Sequence, residues 1–214
     1  MTTLIVVRHG QSESNLAQIF AGQTETSLTE LGRAQAEDTA RFLDGAAIDK
    51  IYASDLLRAM DTARPTAERH GLEIIPRAGL REINAGLWEG NPYTVLMERF
   101  GESYSLWCND VGRAHPEGGE SVKELAARVY AEIDRILAEN RGKTVAIFTH
   151  ATPVRMLACR WFGIPVEEAA QVRFCTNASV SIVEYRENGD FHRVVRYGYD
   201  QHLKNVTEFP KGLV

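Results

Sequence analysis

The sequence predicts a layered α/β domain built on a mostly parallel sheet, and three observations carry that prediction. Short apolar runs such as Leu4 to Val7 and Thr144 to Thr149 lack the alternation of a half-exposed strand, which suits a sheet covered on both faces. Longer segments with helical spacing alternate with those runs, the pattern of strand–helix–strand units. Two β-rich stretches near the C-terminus, Ser179 to Tyr185 and Phe191 to Tyr197, flank Asn188-Gly189, a dipeptide that favours a hairpin because both turn positions accept positive φ.

Leu4 to Val7 is the first strand. Ser27-Leu28-Thr29-Glu30 has the spacing of a capping box and opens a helix that runs to Asp44-Gly45. Ile48 to Ala53 is a second strand, after which Ser54 or Asp55 caps a helix ending near His70-Gly71. Ile74 to Asn91 is irregular and reads as loop, and Thr94 to Phe100 reads as a short helix. From Glu120 to Asn140, Val122, Leu125, Ala126, Val129, Ile133, Ile136 and Leu137 share one helical face, and Gly142 is placed to end it. Thr144 to Thr149 runs straight into His150, and Pro153 suits the first turn of the next helix.

The 214 residues suffice for one sizeable core. A net charge of -5 gives no support for bulk nucleic-acid or anionic-membrane binding, yet leaves room for a local cationic pocket. No apolar run approaches the roughly 20 residues of a membrane span, and no secretory signal pattern opens the chain. Cys108, Cys159 and Cys175 are odd in number and widely spaced, which argues for structural thiols in a reducing cytoplasm rather than a disulfide framework or zinc site. Self-association is left open.

Parallel sheets place ligands beyond the carboxyl ends of their strands. Two strands here end in histidine, His9 and His150, and a third ends at Ser54 with Arg58 one turn into the following helix. Arginine presents a rigid fork of donors suited to phosphate oxygens, and neutral imidazole is a nucleophile. Arg8-His9 beside Arg58 therefore suggests an anion site that contains a nucleophile. The remaining histidines, His70, His115, His192 and His202, sit in helix-end, loop, hairpin and tail contexts and are given no catalytic part. Glu82 and Glu89 are the rival acids. Trp107 is placed in a cap, with Trp88 either packing or lining the crevice.

Six blocks, in order along nearly the whole chain, resemble the histidine phosphatase superfamily, which includes the cofactor-dependent phosphoglycerate mutases. They are RHGQSESN, AGQTETSLTELGRAQA, YASDLLRAMDTA, LREINAGLWEG, HPEGGES and VAIFTHATPVRML. The resemblance implies a three-layer α/β/α, phosphoglycerate mutase-like fold. It implies a single domain over residues 1–214, with a cap-like insertion of helix and loop at about 84–118. It also implies that His9 attacks phosphorus, that Arg8, Arg58 and His150 hold the phosphoryl oxygens, and that Asn15 assists phosphate binding. Gln23 and Ala151 join the phosphate-binding set. Glu82 protonates the departing oxygen and then helps water attack the phosphohistidine. No metal or cofactor is implied, and the charge would come from two arginines and a cationic histidine. Ala151 departs from the family's usual glycine after the second histidine, and would be strained there if the position needs positive φ.

The expected activity is that of an acid-type histidine phosphatase acting on a small-molecule phosphate monoester. The mutases carry an Arg-Arg pair and a proline-rich stretch in the segment after the acidic block. NPYTVLMERFGESYSLWCNDVGRAHPEGGES has neither, so phosphatase is preferred over phosphoglycerate mutase. A third reading, a non-catalytic phosphate-binding module, is disfavoured by the presence of all five of Arg8, His9, Arg58, Glu82 and His150. Leu87, Trp88, Val95, Leu96 and Phe100 either favour an organic leaving group or simply pack the cap, and packing is preferred.

Overall fold

The computed structural model describes residues 1–186 and 192–207. Six strands form one sheet: β1 (Thr2–Arg8), β2 (Lys50–Ala53), β3 (Ile74–Pro76), β4 (Thr144–Thr149), β5 (Val180–Tyr185) and β6 (His192–Tyr199). Their spatial order is β3-β2-β4-β1-β5-β6. The first four run parallel, and β5 and β6 add antiparallel pairings at one side. The helices are α1 (Glu13–Leu16), α2 (Glu30–Leu43), α3 (Leu57–His70), α4 (Tyr93–Asn109), α5 (Val122–Glu139) and α6 (Ala151–Phe162).

The unbroken apolar runs are explained by two cores, one on each sheet face. Leu4, Val6, Tyr52, Val145 and Ile147 pack toward α5 and α6 with Val129, Ile133, Ile136 and Leu157. Their neighbours along the same strands, Ile5, Val7, Ile51, Ala53, Ala146 and Phe148, pack toward α2 and α3 with Leu43, Ala63 and Ala67. A strand's side chains alternate between faces, so a strand covered on both sides must be apolar throughout. This is the expected three-layer α/β/α fold.

Several local expectations change. The α2 cap is Thr29, whose side chain accepts from Gly32 N, rather than Ser27; a bridge between Ser12 and Leu28 keeps residues 27–28 extended, so the helix starts later. Neither Ser54 nor Asp55 is the cap of α3, which begins after Leu56. Ser54 bonds to His150 and Asp55 to Arg81, and the Glu25 carboxylate instead accepts from Leu57 N at 2.9 Å. The stretch read as loop from Ile74 contains β3, three residues long and ending in Pro76, which an edge strand tolerates. The helix placed at Thr94 to Phe100 is α4, which continues to Asn109 across a kink at Gly101. Ser121 and Glu124 close a reciprocal capping box at the start of α5. The Asn188-Gly189 turn lies outside the described residues, but β5 and β6 pair antiparallel as a hairpin requires.

Segment 84–118 shares the larger core: Trp88, Leu96, Tyr104, Val111 and Ala114 are buried with residues of α5, α6 and the sheet. Among the described residues no helix is long and apolar enough to cross a membrane.

Candidate active site

The register of the sheet brings the predicted residues to one edge. Arg8 is the last residue of β1 and pairs with Thr149 of β4; Ala53 of β2 pairs with Phe148. The residues that follow each strand are therefore side by side. His9 N donates to Thr149 O at 2.8 Å, and Ser54 N donates to Phe148 O at 2.8 Å. The His9 and His150 rings meet edge to face with centroids 5.1 Å apart.

His9 has a defined tautomer. Its Nδ1 lies 2.7 Å from the Gly10 carbonyl, which can only accept, so Nδ1 carries the proton. Burial, then Arg58 and Arg8, hold its pKa well below the usual histidine range. The ring is thus neutral with a lone pair on Nε2. His150 is also pushed well below that range, by burial and then by Arg58, His9 and Arg8. Its Nε2 shares a 2.7 Å hydrogen bond with Ser54 Oγ, while its buried Nδ1 has no hydrogen-bond partner among the described residues. The cationic histidine expected from the sequence is therefore neutral before an anion arrives.

Both arginines are buried and held by backbone carbonyls. Arg58 donates through Nη2 to Gly22 O at 2.7 Å and through Nη1 to Thr24 O at 3.0 Å. Arg8 donates to Cys175 O and packs on the Phe174 ring at 4.5 Å, and burial pushes its pKa down to about 10. The tight approach of the His9 loop to α2 explains a glycine on each side. A Cβ at Gly10 would stand 2.5 Å from Gly32 O, and one at Gly32 would stand 2.0 Å from Gln11 O.

Asn15 sits in α1, in a capping box with Ser12. Its Oδ1 accepts from Ser12 N at 3.2 Å and from Asn177 Nδ2 at 3.1 Å. With the oxygen so occupied, the amide's donor end is left for the cleft. Asn177 Nδ2 also donates to His9 O at 3.0 Å, so one buried amide fixes both residues.

The Glu82 carboxylate accepts from Ile83 N at 2.9 Å and from Thr152 N, in the first turn of α6, at 3.3 Å. Its loop is anchored on several sides. Thr149 Oγ1 donates to Leu80 O, Arg81 grips Asp55 through two 2.6 Å bonds, and Arg128 and Gln23 donate to Glu82 O. Glu89, the rival acid, is spent on structure: it accepts from Gln23 N, Ala85 N and Thr24 Oγ1.

Arg8, His9, Asn15, Arg58 and Glu82 open on a cleft enclosing about 820 Å³, its mouth included, whereas His150 is fully buried and is not part of its surface. Its floor has Arg8, His9, Asn15, Arg58 and Glu82, and Ala151 lies at its edge. Gln23 is not on its surface; its amide is used by Glu82 O and Arg81. Ala151 opens α6 without the positive φ that would strain it, so its methyl is a contact rather than a distortion. The wall is Phe20, Tyr93, Tyr104, Trp107 and Phe174. Trp107 lines the cleft. Trp88 is fully buried and packs, as does Leu96, while Leu87 is largely exposed. Sequence reasoning missed Ser54 as the partner of His150, Asn177 and Phe174. The last two fall between α6 and β5, where no periodic pattern or motif drew attention. Among the described residues no three His, Cys, Asp or Glu side chains are grouped to hold a metal ion.

A strand-end crevice with this floor, on a three-layer α/β fold, defines a class of phosphoryl-handling protein, and comparison with known families agrees. The chain belongs to the histidine phosphatase superfamily (branch 1), whose model matches residues 4–198. Phosphoserine phosphatase 1 of Hydrogenobacter thermophilus is 31% identical over 187 residues, covering 87% of this chain and 88% of the relative. A Yersinia pestis protein named probable phosphoglycerate mutase GpmB is also 31% identical, over 188 residues, 88% of this chain and 87% of its own. Among solved structures, Bacillus stearothermophilus YhfR superposes with a TM-score of 0.91 at 25% identity, covering 95% of this chain and all of that one.

Proposed function

We propose that this protein is a phosphomonoesterase that hydrolyses a small-molecule phosphate ester through a phosphohistidine on His9. The observation that carries the reading is the His9 tautomer: Nδ1–H is bound to Gly10 O and a neutral Nε2 lone pair remains on a ring that feels the charge of two buried arginines. A nucleophile needs that lone pair, and phosphoryl transfer needs mainly positioning and positive charge around the equatorial oxygens.

In the first step Nε2 attacks phosphorus in line with the ester oxygen. Arg8, Arg58 and the Asn15 amide hold the non-bridging oxygens. His150 takes up a proton as the dianion arrives and donates a hydrogen bond, turning an unpaired buried nitrogen to use. The ester P–O bond breaks as Glu82, in its protonated form, gives its proton to the leaving oxygen. In the second step the Glu82 carboxylate takes a proton from water, whose oxygen attacks phosphorus and breaks the N–P bond. His9 and inorganic phosphate are regenerated. Gln23 acts one layer out, by holding Glu82's loop. Residues 1–214 act as one domain, with 84–118 as the cap that carries Tyr93, Tyr104 and Trp107 of the aromatic wall. Protein arginines and histidine supply the charge in this scheme, so no metal or cofactor takes part.

The test is a rapid quench with a labelled phosphate ester in the presence of EDTA. An acid-labile, alkali-stable phosphoryl group on the protein is expected, absent from His9→Ala, together with release of phosphate. An acid-stable adduct, or complete loss of turnover in EDTA, contradicts the reading. Transfer to a bound phosphoglycerate faster than to water would favour the mutase instead.

A further inference from the structure

A second cavity of about 430 Å³, against about 820 Å³ for the cleft, adjoins it and shares Trp107, Ala151, Thr152 and Phe174 with it. Arg155 lines this cavity and not the main one. It lies one turn along α6 from Ala151 and Thr152, so all three share a helix face. Arg155 is unlike the arginines of the floor. Arg8 and Arg58 each donate to a carbonyl, whereas Arg155 makes no hydrogen bond or ion pair among the described residues, and its Nε is buried without a partner. Its neighbours in charge are Tyr197, Cys159 and Cys175, none of them a carboxylate, and burial lowers its pKa. It packs on the Phe174 ring, whose centroid is 5.4 Å from Cζ; Arg8 Cζ lies 4.5 Å from that same ring. Arg155 is half-buried: its Nε lies out of reach of water without a partner, and the rest of the fork is left to face the cavity, where an anion delivered by a ligand supplies the missing counter-charge.

We infer that Arg155 forms a second anion subsite, separated from the phosphoryl end by the Phe174 ring, which receives a carboxylate on the alcohol part of the substrate. The preferred substrates are then compact phosphomonoesters bearing a carboxylate. The planar fork of Arg155 matches a carboxylate with two parallel hydrogen bonds. The cap segment lacks an Arg-Arg pair, and Arg155 supplies from α6 a cation that the segment does not. This inference rests on the proposed phosphatase reading for its substrate.

The experiment compares substrates matched except for the carboxylate: 3-phosphoglycerate against glycerol 3-phosphate, and phosphoserine against phosphoethanolamine. The ratio of kcat/KM within each pair is expected to favour the carboxylate at least tenfold. Arg155→Gln should collapse that ratio toward one, and Arg155→Lys should restore part of it. A ratio near one in the unaltered protein overturns the inference, as does an equal loss on both members of a pair, which would mark Arg155 as structural. Preference for 1,3-propanediol bisphosphate over 3-phosphoglycerate would reassign the subsite to a second phosphate and overturn the carboxylate. Calorimetric binding of 3-phosphoglycerate and glycerol 3-phosphate to His9→Ala reads the same ratio without turnover. A carboxylate preference there sustains the subsite even if the phosphatase reading fails, and its absence sinks the subsite while that reading stands.

Discussion

The floor and the wall of the cleft are built by different forces. On the floor, position comes from the backbone. His9 and Ser54 are hydrogen-bonded into the sheet, Gly10 O sets the His9 tautomer, and carbonyls at Gly22 and Thr24 hold Arg58. The wall is held by side-chain packing around Phe20, whose ring meets Trp88, Tyr93 and Trp107 edge to face at 5.5, 6.2 and 5.1 Å. Backbone geometry is shared by every residue type, whereas packing depends on the side chains present. The floor can therefore stay constant while the wall, three of whose five rings stand on the kinked helix α4, is free to vary with substrate. Substitutions on the floor should abolish chemistry, and those on the wall should redistribute it among substrates.

His9→Ala should give the largest loss, at least roughly 10³-fold in kcat, with no phosphoenzyme in the quench assay. Glu82→Gln should lose about 10²- to 10⁴-fold on alkyl phosphates, whose leaving oxygen needs a proton, and much less on p-nitrophenyl phosphate. Equal losses on both would remove Glu82 from the acid's place. Arg58→Ala should lose activity and also about 2–4 kcal/mol of stability, read by urea unfolding, because two carbonyls that it pairs lose a charged donor. Full stability with lost activity would show that the floor is not held as described.

Acid should weaken the floor in particular. His9 and His150 are neutral when folded, while in the unfolded chain they titrate near 6.5. Below about pH 6.5 the unfolded state binds protons that the folded state refuses, so stability rises with pH through that range and is lost on acidification. Each group contributes a slope of up to about 1.4 kcal/mol per pH unit. Tm measured from pH 8 to 5 should fall below about 6.5, and less steeply in His150→Asn. Binding of inorganic phosphate should reverse part of this by drawing a proton onto His150. Calorimetry in buffers of different ionisation enthalpy should record that uptake; none would mean that His150 stays neutral beside the anion.

The floor was legible in the sequence and the wall largely was not, for the same reason. Arg8-His9 and His150 stand directly after continuous apolar runs, and a parallel sheet exposes a crevice at just those ends. Adjacency along the chain thus became adjacency in space. Phe174 and Asn177 reach the site from a stretch with no period, after a long excursion from α6, and no local pattern signals such a return. Ser54 reads from the sequence as a helix cap. Serine suits that duty equally well, and only the position of His150, 96 residues away, decides between them. Trp88 and Trp107 are indistinguishable by composition; the kink of α4 at Gly101 lies between the turn that buries Leu96 and the turn that presents Trp107.

Trp107 offers the smallest effect and the sharpest separation of floor from wall. It lines both the cleft and the cavity beside Arg155, and its ring packs on Phe20 and Trp88. Trp107→Phe keeps an aromatic surface against Phe20 while shortening the wall. A smaller ring should lower affinity for esters with bulky apolar alcohols by about 1 kcal/mol, roughly a fivefold rise in KM, since only part of a side chain's contact is removed. Glycerol 3-phosphate, too small to span the cleft, should show the same KM as before, and kcat should stay within about threefold for both. If instead kcat falls alike on every ester, the aromatic wall helps to set the floor's geometry, and the division between backbone-held chemistry and side-chain-held selection does not hold.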